Sequence, residues 1–287
     1  MGVFSGSLVA TLALAGASAS GAFAAPLYPQ CPPVGNNQGC SQLITIPKAG
    51  LPVVNTDPNA PANGYDGAED TLIGVQNNSS KPVTSLNLAS PSANIFGFDG
   101  DGLCNPSQWP SAPATTPPGC PGPQGFGTSG YEGPGTSFSN ISGNQLTGTL
   151  NFSPALQPGK SAYFALEEAL KNGQLRSSTR GPVAGPITLG PGHSVTFQLT
   201  CVGQKNCVGS VQLVIIINGQ KITAVISKKH KVTLGKTHVS ISSGGTVTVL
   251  IKLNKKGKQL VKHHRKFKAG VLAHIAGQKF ILGTVKL

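Results

Sequence analysis

The sequence predicts an all-β protein: two antiparallel β-sandwich domains with long Gly/Pro-rich loops, stapled by disulfides. Three observations lead there. Apolar and polar residues alternate over short runs, the period of a half-buried strand rather than of a helix. Turn residues separate those runs, with 38 Gly and 23 Pro in 287 residues. Charged residues make up only 11% of the chain, against roughly 25% in an average soluble domain, which argues against long charged helices and coiled coils. At about 100–200 residues per domain, the length allows two.

In chain order, residues 1–24 read as a secretory signal. Leu8 to Ala15 is a short apolar stretch, and Ala22-Phe23-Ala24 offers the small-x-small pattern that a signal peptidase cuts, although no Lys or Arg precedes the stretch. It falls far short of the ~20 apolar residues of a membrane span. The expected location is extracellular, with the mature chain either released or held at the cell surface, and no transmembrane segment in it.

Residues 25–171 form the first predicted domain, with strands at 43–46, 72–75, 83–88, 146–152 and 162–166. Between them, residues 97–135 hold 10 Gly and 8 Pro. Loops longer than about 12–15 residues are uncommon in compact domains and are usually functional or disordered; a disulfide within this one argues for order. Residues 172–186, from Asn172-Gly173 to Gly185-Pro186, read as the linker.

Residues 187–287 form the second domain. Val195, Phe197, Leu199 and Cys201 alternate with polar partners, as do Val247, Val249, Ile251 and Leu253. The run 211–217 followed by Asn218-Gly219 reads as a buried strand entering a tight hairpin, with Ile222, Ala224 and Ile226 returning. Val239 and Ile241, then Val271, Ala273 and Ile275, then Phe280 and Leu282 complete a spacing typical of a sandwich. Only residues 254–264 suggest a helical turn.

Six cysteines in an exported chain point to disulfides, and six allow fifteen pairings. Local pairing is the simplest scheme: Cys31 with Cys40, Cys104 with Cys120 and Cys201 with Cys207. Clustered Cys-x-x-Cys metal spacing is absent.

Charge is split between the domains. All nine acids lie between Asp57 and Glu168, and residues 1–168 carry a net −6. From residue 169 onward there are 19 Lys and Arg and no acid. The densest basic stretch supplies Lys252, Lys255, Lys256, Lys258, Lys262, Arg265, Lys266 and Lys268. Such clusters attract anionic polymers through counterion release, so cell-wall polymers, acidic glycans and anionic lipid are the expected partners. Phe267 is the lone aromatic among them, too few for stacking on bases, so specific nucleic-acid binding is not expected. Contact between the acidic half of one molecule and the basic half of another is a further possibility.

The acids suggest two chemistries. Phe98-Asp99-Gly100-Asp101-Gly102 resembles the start of a calcium loop, since closely spaced carboxylates offer hard oxygens. Leu103 stands where the helical calcium loop requires a third Asp or Asn. A different calcium site at Asp99 and Asp101 then needs Asp66, Glu69, Asp70 or Glu132 to fold back onto it; otherwise the segment is a plain Asp-Gly turn. Alternatively, Asp99, Asp101, Glu132, Glu167 and Glu168 are the supply for a secreted hydrolase acting on glycans, which needs two carboxylates about 5–10 Å apart. Gly125 to Gly130 fits G-x-G-x-x-G on paper but lacks the helix and the acid of a dinucleotide site. All six histidines lie beyond residue 192, where no acid can orient one in a triad.

Two groups of motifs carry a resemblance. Phe96-Gly-Phe-Asp-Gly-Asp-Gly102, Gly130-Tyr-Glu-Gly-Pro-Gly135 and Phe164-Ala-Leu-Glu-Glu-Ala-Leu170 resemble a segment of unknown role in secreted actinobacterial-type proteins. Cys201 with Cys207-Val-Gly-Ser-Val-Gln-Leu213, Leu234-Gly235, Ser243-Gly-Gly-Thr246 and Leu253-Asn-Lys-Lys-Gly257 is similar to an immunoglobulin-like module of exported actinobacterial proteins. The resemblance implies a sandwich fold and export, and brings no catalytic residue. The expectation is a non-catalytic exported protein that binds the cell envelope or extracellular matrix through its basic domain. The alternatives are a hydrolase and a calcium-dependent adhesive module.

Overall fold

A computed structural model describes residues 25–49, 51–179, 181–191, 194–202, 206–218, 221–223, 231–263 and 267–287. The expected signal segment and Ala224 and Ile226 of the expected returning strand lie outside the described residues. The architecture is all-β, and the three disulfides are the local pairs Cys31–Cys40, Cys104–Cys120 and Cys201–Cys207.

The N-terminal half contains β1 (Gln42–Ile46), β2 (Val53–Thr56), β3 (Thr71–Asn77), β4 (Val83–Ala89), β5 (Thr136–Ser139), β6 (Thr147–Leu156), β7 (Ser161–Leu166) and β8 (Arg176–Ser178). They form two four-stranded sheets, β2-β1-β3-β7 and β5-β6-β4-β8. Ile44, Ile73, Val75 and Phe164 of the first sheet meet Leu86, Leu88, Leu150 and Phe152 of the second to make the core.

One pairing departs from the antiparallel expectation: β1 and β3 run parallel. The cause lies in the connection. Strand β2 turns back along one edge of β1, so residues 57–70 begin at the end of the sheet where β1 starts, and β3 must set out from that same end. The chain therefore delivers Asp66, Glu69 and Asp70 to one end of the sheet. The antiparallel pairing of Thr71 with Leu166 brings the end of β7, and hence Glu167, to the same place.

Residues 97–135 are an ordered third layer. Leu103, Cys104, Trp109 and Tyr131 pack with Cys31, Val34, Cys40 and Tyr65 against Leu72 and Ala165, on the outer face of the first sheet. This explains why β3 is buried almost throughout rather than in alternation, as expected for a strand covered on both faces.

The C-terminal half contains β9 (Val183–Ala184), β10 (Thr188–Gly190), β11 (Ser194–Thr200), β12 (Cys207–Asn218), β13 (Lys221–Thr223), β14 (Lys231–Ile241), β15 (Thr246–Lys252), α1 (Lys255–His263), β16 (Lys268–Ile275) and β17 (Gln278–Lys286). Strand β11 pairs with β10, β15 and β9, while β12 pairs with β13, β14 and β16, and β16 with β17. Phe197, Leu199, Val249 and Ile251 face Val211, Leu213, Val271 and Ala273 across the core.

Residues 172–186, expected as a linker, are built into the sheets: β8 extends the N-terminal half along β4, and β9 joins β11. Side chains also cross between the halves, with Arg176 Nη2 donating to Gln198 Oε1 at 2.8 Å and Asn144 Nδ2 to the Gly244 carbonyl at 3.4 Å.

Candidate metal centre

Three segments meet at the shared end of β3 and β7. The first is the turn before β3. Asp66 Oδ1 accepts the backbone N–H of Glu69 (3.1 Å) and of Asp70 (2.9 Å), and Oδ2 accepts that of Ala68 (3.0 Å). This self-capped turn is the kind of local bonding that Asp favours. Gly64, at φ 73, lies with its Cβ position against the Asp70 backbone, so a larger residue is excluded on two counts.

The second segment is the Asp99-Gly100-Asp101 turn in the third layer. Trp109 Nε1 donates to the Asp101 carbonyl at 2.6 Å, and Asn105 Nδ2 donates to the Gly100 carbonyl at 2.9 Å. The Tyr131 hydroxyl lies 2.6 Å from Asp101 Oδ1 and 3.0 Å from Asp99 Oδ1, with its ring stacked on Phe98 at 4.6 Å. The third segment follows β7. There the Leu170 N–H donates to Thr71 Oγ1 at 2.8 Å and Thr71 Oγ1 donates to the Glu168 carbonyl at 2.7 Å, which fixes Glu167 beside the start of β3.

Six carboxylates converge in two groups. In each of the groups Asp66, Asp70, Asp101 and Glu69, Asp99, Glu167, one carboxylate oxygen per residue lies within 4.8 Å of the others. Either group can hold a metal ion. Asp70 is 0% exposed, and among the described residues neither of its oxygens has a hydrogen-bond partner. The buried Tyr65 hydroxyl lies beside it, short of good hydrogen-bond geometry but close enough to act on its charge.

Electrostatics disfavour the bare carboxylate at Asp70, Asp101 and Glu167. Burial, then the charges of Asp101 and Glu167, push Asp70 up to about 10, with the Tyr65 hydroxyl offsetting part of the rise. Burial raises Asp101 to about 6 and Glu167 to about 7, helped by neighbouring acids and opposed by the Tyr131 hydroxyl. Burial also raises the Tyr65 and Tyr131 phenols.

The half's lysines offer the acids little. Lys171, just after β7, is exposed and is not among the groups acting on Asp70, Asp101 or Glu167, and the other three lie farther off. Lys48, Lys81 and Lys160 are exposed and cluster at the opposite end of β3, where Asn77 binds the carbonyls of Lys81 and Lys160 and the Asn78 N–H binds Ile46. At ~3.3 Å per residue, a strand of seven residues puts about 20 Å between them and the acids, beyond the ~8 Å screening length at physiological salt.

The sequence expectation for Asp99 and Asp101 thus meets three of the four acids named as fold-back partners. Glu132 is not among them. It is buried and accepts the Ser129 N–H (3.1 Å) and hydroxyl (2.7 Å), closing its own loop. Glu168 presents its backbone carbonyl to Thr71 from a positive φ of 78. Glu167 enters as a member of the cluster, and Tyr65 and Tyr131 are additions that spacing did not signal. Their aromatic rings are core residues whose hydroxyls reach the acids.

The basic residues sit elsewhere. Asn254 caps α1, its Oδ1 accepting the Gly257 N–H at 2.8 Å. Gly257 packs on Leu234, and Leu260 and Val261 on the core, so Lys255, Lys256, Lys258 and Lys262 point outward, flanked by exposed Lys252 and Lys268. Arg265 and Lys266 lie outside the described residues. No helix among them is long and apolar enough to cross a membrane.

No family model and no curated protein matches this chain. Among solved structures it is similar to DesR, a β-glucosidase from Streptomyces venezuelae in complex with D-glucose, at 15% identity and a TM-score of 0.24 over 38% of this chain and 14% of that one. It is also similar to the ligand-binding region of serine-glutamate repeat protein A of Enterococcus faecium, at 16% identity and a TM-score of 0.20 over 31% of this chain and 73% of that one. The chain thus spans about a seventh of the glucosidase. Likenesses this distant carry no functional argument.

Proposed function

We propose that this is an exported, non-catalytic binding protein whose acidic centre holds calcium and whose basic half associates with anionic polymers of the cell envelope or extracellular matrix. The observation that carries the reading is Asp70, fully buried between Asp66 and Asp101, with neither oxygen in a well-formed hydrogen bond among the described residues and only the Tyr65 hydroxyl nearby to offset its charge. A buried carboxylate without a partner is costly, and every charged neighbour acting on this one is another acid. A divalent cation would turn that repulsion into coordination. The side-chain donors are all hard oxygens, the set that calcium prefers, and all six cysteines are committed to disulfides. A cluster rich in carboxylates also suits calcium, which accepts about 6–8 oxygens in varied geometry, better than magnesium, which demands near-octahedral geometry.

A hydrolase fits less well. Trp109 and Tyr131, the aromatics beside the acids, are buried and engaged rather than presented as sugar platforms. The expected result for the full chain after chelation is a saturable calcium-dependent rise in melting temperature, larger than with magnesium and lost in Asp70→Asn. A wild-type melting curve indifferent to calcium sinks this reading.

The polymer contact rests on six exposed lysines over α1 and its flanks, with no acid after residue 168. Lys255 and Lys256 also sit in the first helical turn, where the positive end of the dipole disfavours them and a polyanion would relieve the repulsion. Retention on anionic cell-wall material that salt elutes is expected. Passage without retention at low salt rules the contact out.

A further inference from the structure

We infer that the acidic centre takes two divalent cations, an inner one held by Asp66, Asp70 and Asp101 and an outer one held by Glu69, Asp99 and Glu167, with Tyr131 spanning the pair. The inference rests on the calcium reading and adds a second site, a division of labour between the two, and an order of filling.

Four observations carry it. The two groups share no residue, and in each the three carboxylate oxygens already lie within 4.8 Å of one another. Each group contains one carboxylate more than nine-tenths buried with an oxygen that, among the described residues, has no hydrogen-bond partner: both oxygens of Asp70, at 0% exposure, and Oε2 of Glu167, at 6%. An orphaned buried carboxylate is therefore a feature of both groups and not of the inner one alone.

Capacity points the same way. Six carboxylates offer twelve oxygens, whereas one calcium ion takes about 6–8, some of them usually from backbone or water. A single ion in the inner group leaves Glu167 buried beside Asp99 and Glu69, with Oε2 unpartnered and only the Tyr131 hydroxyl to offset its charge. Tyr131 supplies the link: its hydroxyl reaches Asp101 of the inner group at 2.6 Å and Asp99 of the outer group at 3.0 Å. One O–H can donate to only one of them at a time, so it joins the groups without neutralising either.

The two sites differ in access. Asp66 and Asp70 are buried and Asp101 is partly so, while Glu69 and Asp99 are exposed. The inner ion fills first and exchanges slowly. The outer ion, with two ligands in solvent, binds more weakly and follows the surrounding calcium concentration.

The test uses the full chain, stripped with chelator and titrated with calcium chloride, with ions counted by native mass spectrometry and affinities taken from calorimetry. Two ions per chain in two separable steps are expected. Glu69 is exposed, so Glu69→Gln leaves the fold intact; it should weaken the second step roughly tenfold or more and leave the first unchanged. One ion in the wild type overturns the two-site inference and leaves the calcium reading standing; none overturns both. Two ions with both steps untouched by Glu69→Gln overturn the outer assignment.

Discussion

In the N-terminal half, charge is gathered inward: four of the six acids clustered at one end of β3 are buried or partly buried, and Lys48, Lys81 and Lys160 stand at the other end. In the C-terminal half the lysines whose burial is described are exposed, and none of the buried residues described there is charged. The two halves share a sandwich plan, yet charge does opposite work in them. A net charge read from composition describes a surface only where the charges are on the surface. For the basic half it does. For the acidic half, the −6 describes an interior in search of counterions.

The sharpest way to break this contrast is to remove the cation. At a calcium concentration about a thousand times the dissociation constant, binding to the folded state alone stabilises by about 4 kcal/mol, which calorimetry should register as a rise of roughly ten degrees. Asp70→Asn should reverse the sign: lower stability than wild type in calcium, and equal or higher stability in chelator, because the buried repulsion is gone. A variant that melts lower in both conditions would mean that Asp70 is an ordinary core residue.

The corresponding change in the basic half is the quadruple replacement of Lys255, Lys256, Lys258 and Lys262 by Gln. Each lysine near an anionic surface is worth about 1 kcal/mol, so retention on anionic polymer should weaken by roughly a hundredfold once incomplete additivity is allowed for. Melting should barely move. Unchanged retention would place the contact elsewhere.

Glu132 is the internal control, a buried acid with partners. Glu132→Gln should cost about 1–3 kcal/mol through the Ser129 bonds, measured by denaturant unfolding, and leave calcium stoichiometry as it was. A lost ion would return Glu132 to the centre.

The same contrast can be sharpened by pH dependence in chelator, to which buried Asp70, raised to about 10, also contributes. Asp101 and Glu167, raised to about 6 and about 7 in the folded chain, start from ordinary values near 4 when unfolded. The folded state therefore binds more protons between those limits, and stability falls as pH rises. Melting should be higher at pH 5 than at pH 8 without calcium, and calcium should flatten the slope. A slope of the opposite sign would show that these acids are not held in a repulsive cluster.

Much of this was legible in the chain. Alternation located β4, β6, β11 and β15 because each has one face on a core, the apolar residues of β7 and β16 marked those strands too, and the short spacing within each cysteine pair matched the local disulfides. Strands β2, β5, β8 and β9 were not foreseen, being short pieces whose place is set by a neighbour rather than by their own pattern. The acids show the same limit. Asp99 and Asp101 announce themselves by spacing, but what separates Asp66, Glu69 and Asp70 from Glu132 is the parallel β1–β3 connection, a property of topology. Glu167 enters through the register of β7, and Tyr131 through a ring packed on Phe98.

The placement of Lys48, Lys81 and Lys160 opposite the acids along β3 has one more consequence. It makes the N-terminal half a large electric dipole, with like charges grouped at poles about 20 Å apart. Near a negatively charged surface such a body experiences torque before it makes any contact. The Lys48, Lys81 and Lys160 pole turns toward the surface, and the carboxylate pole turns toward open solution, the side from which ions arrive.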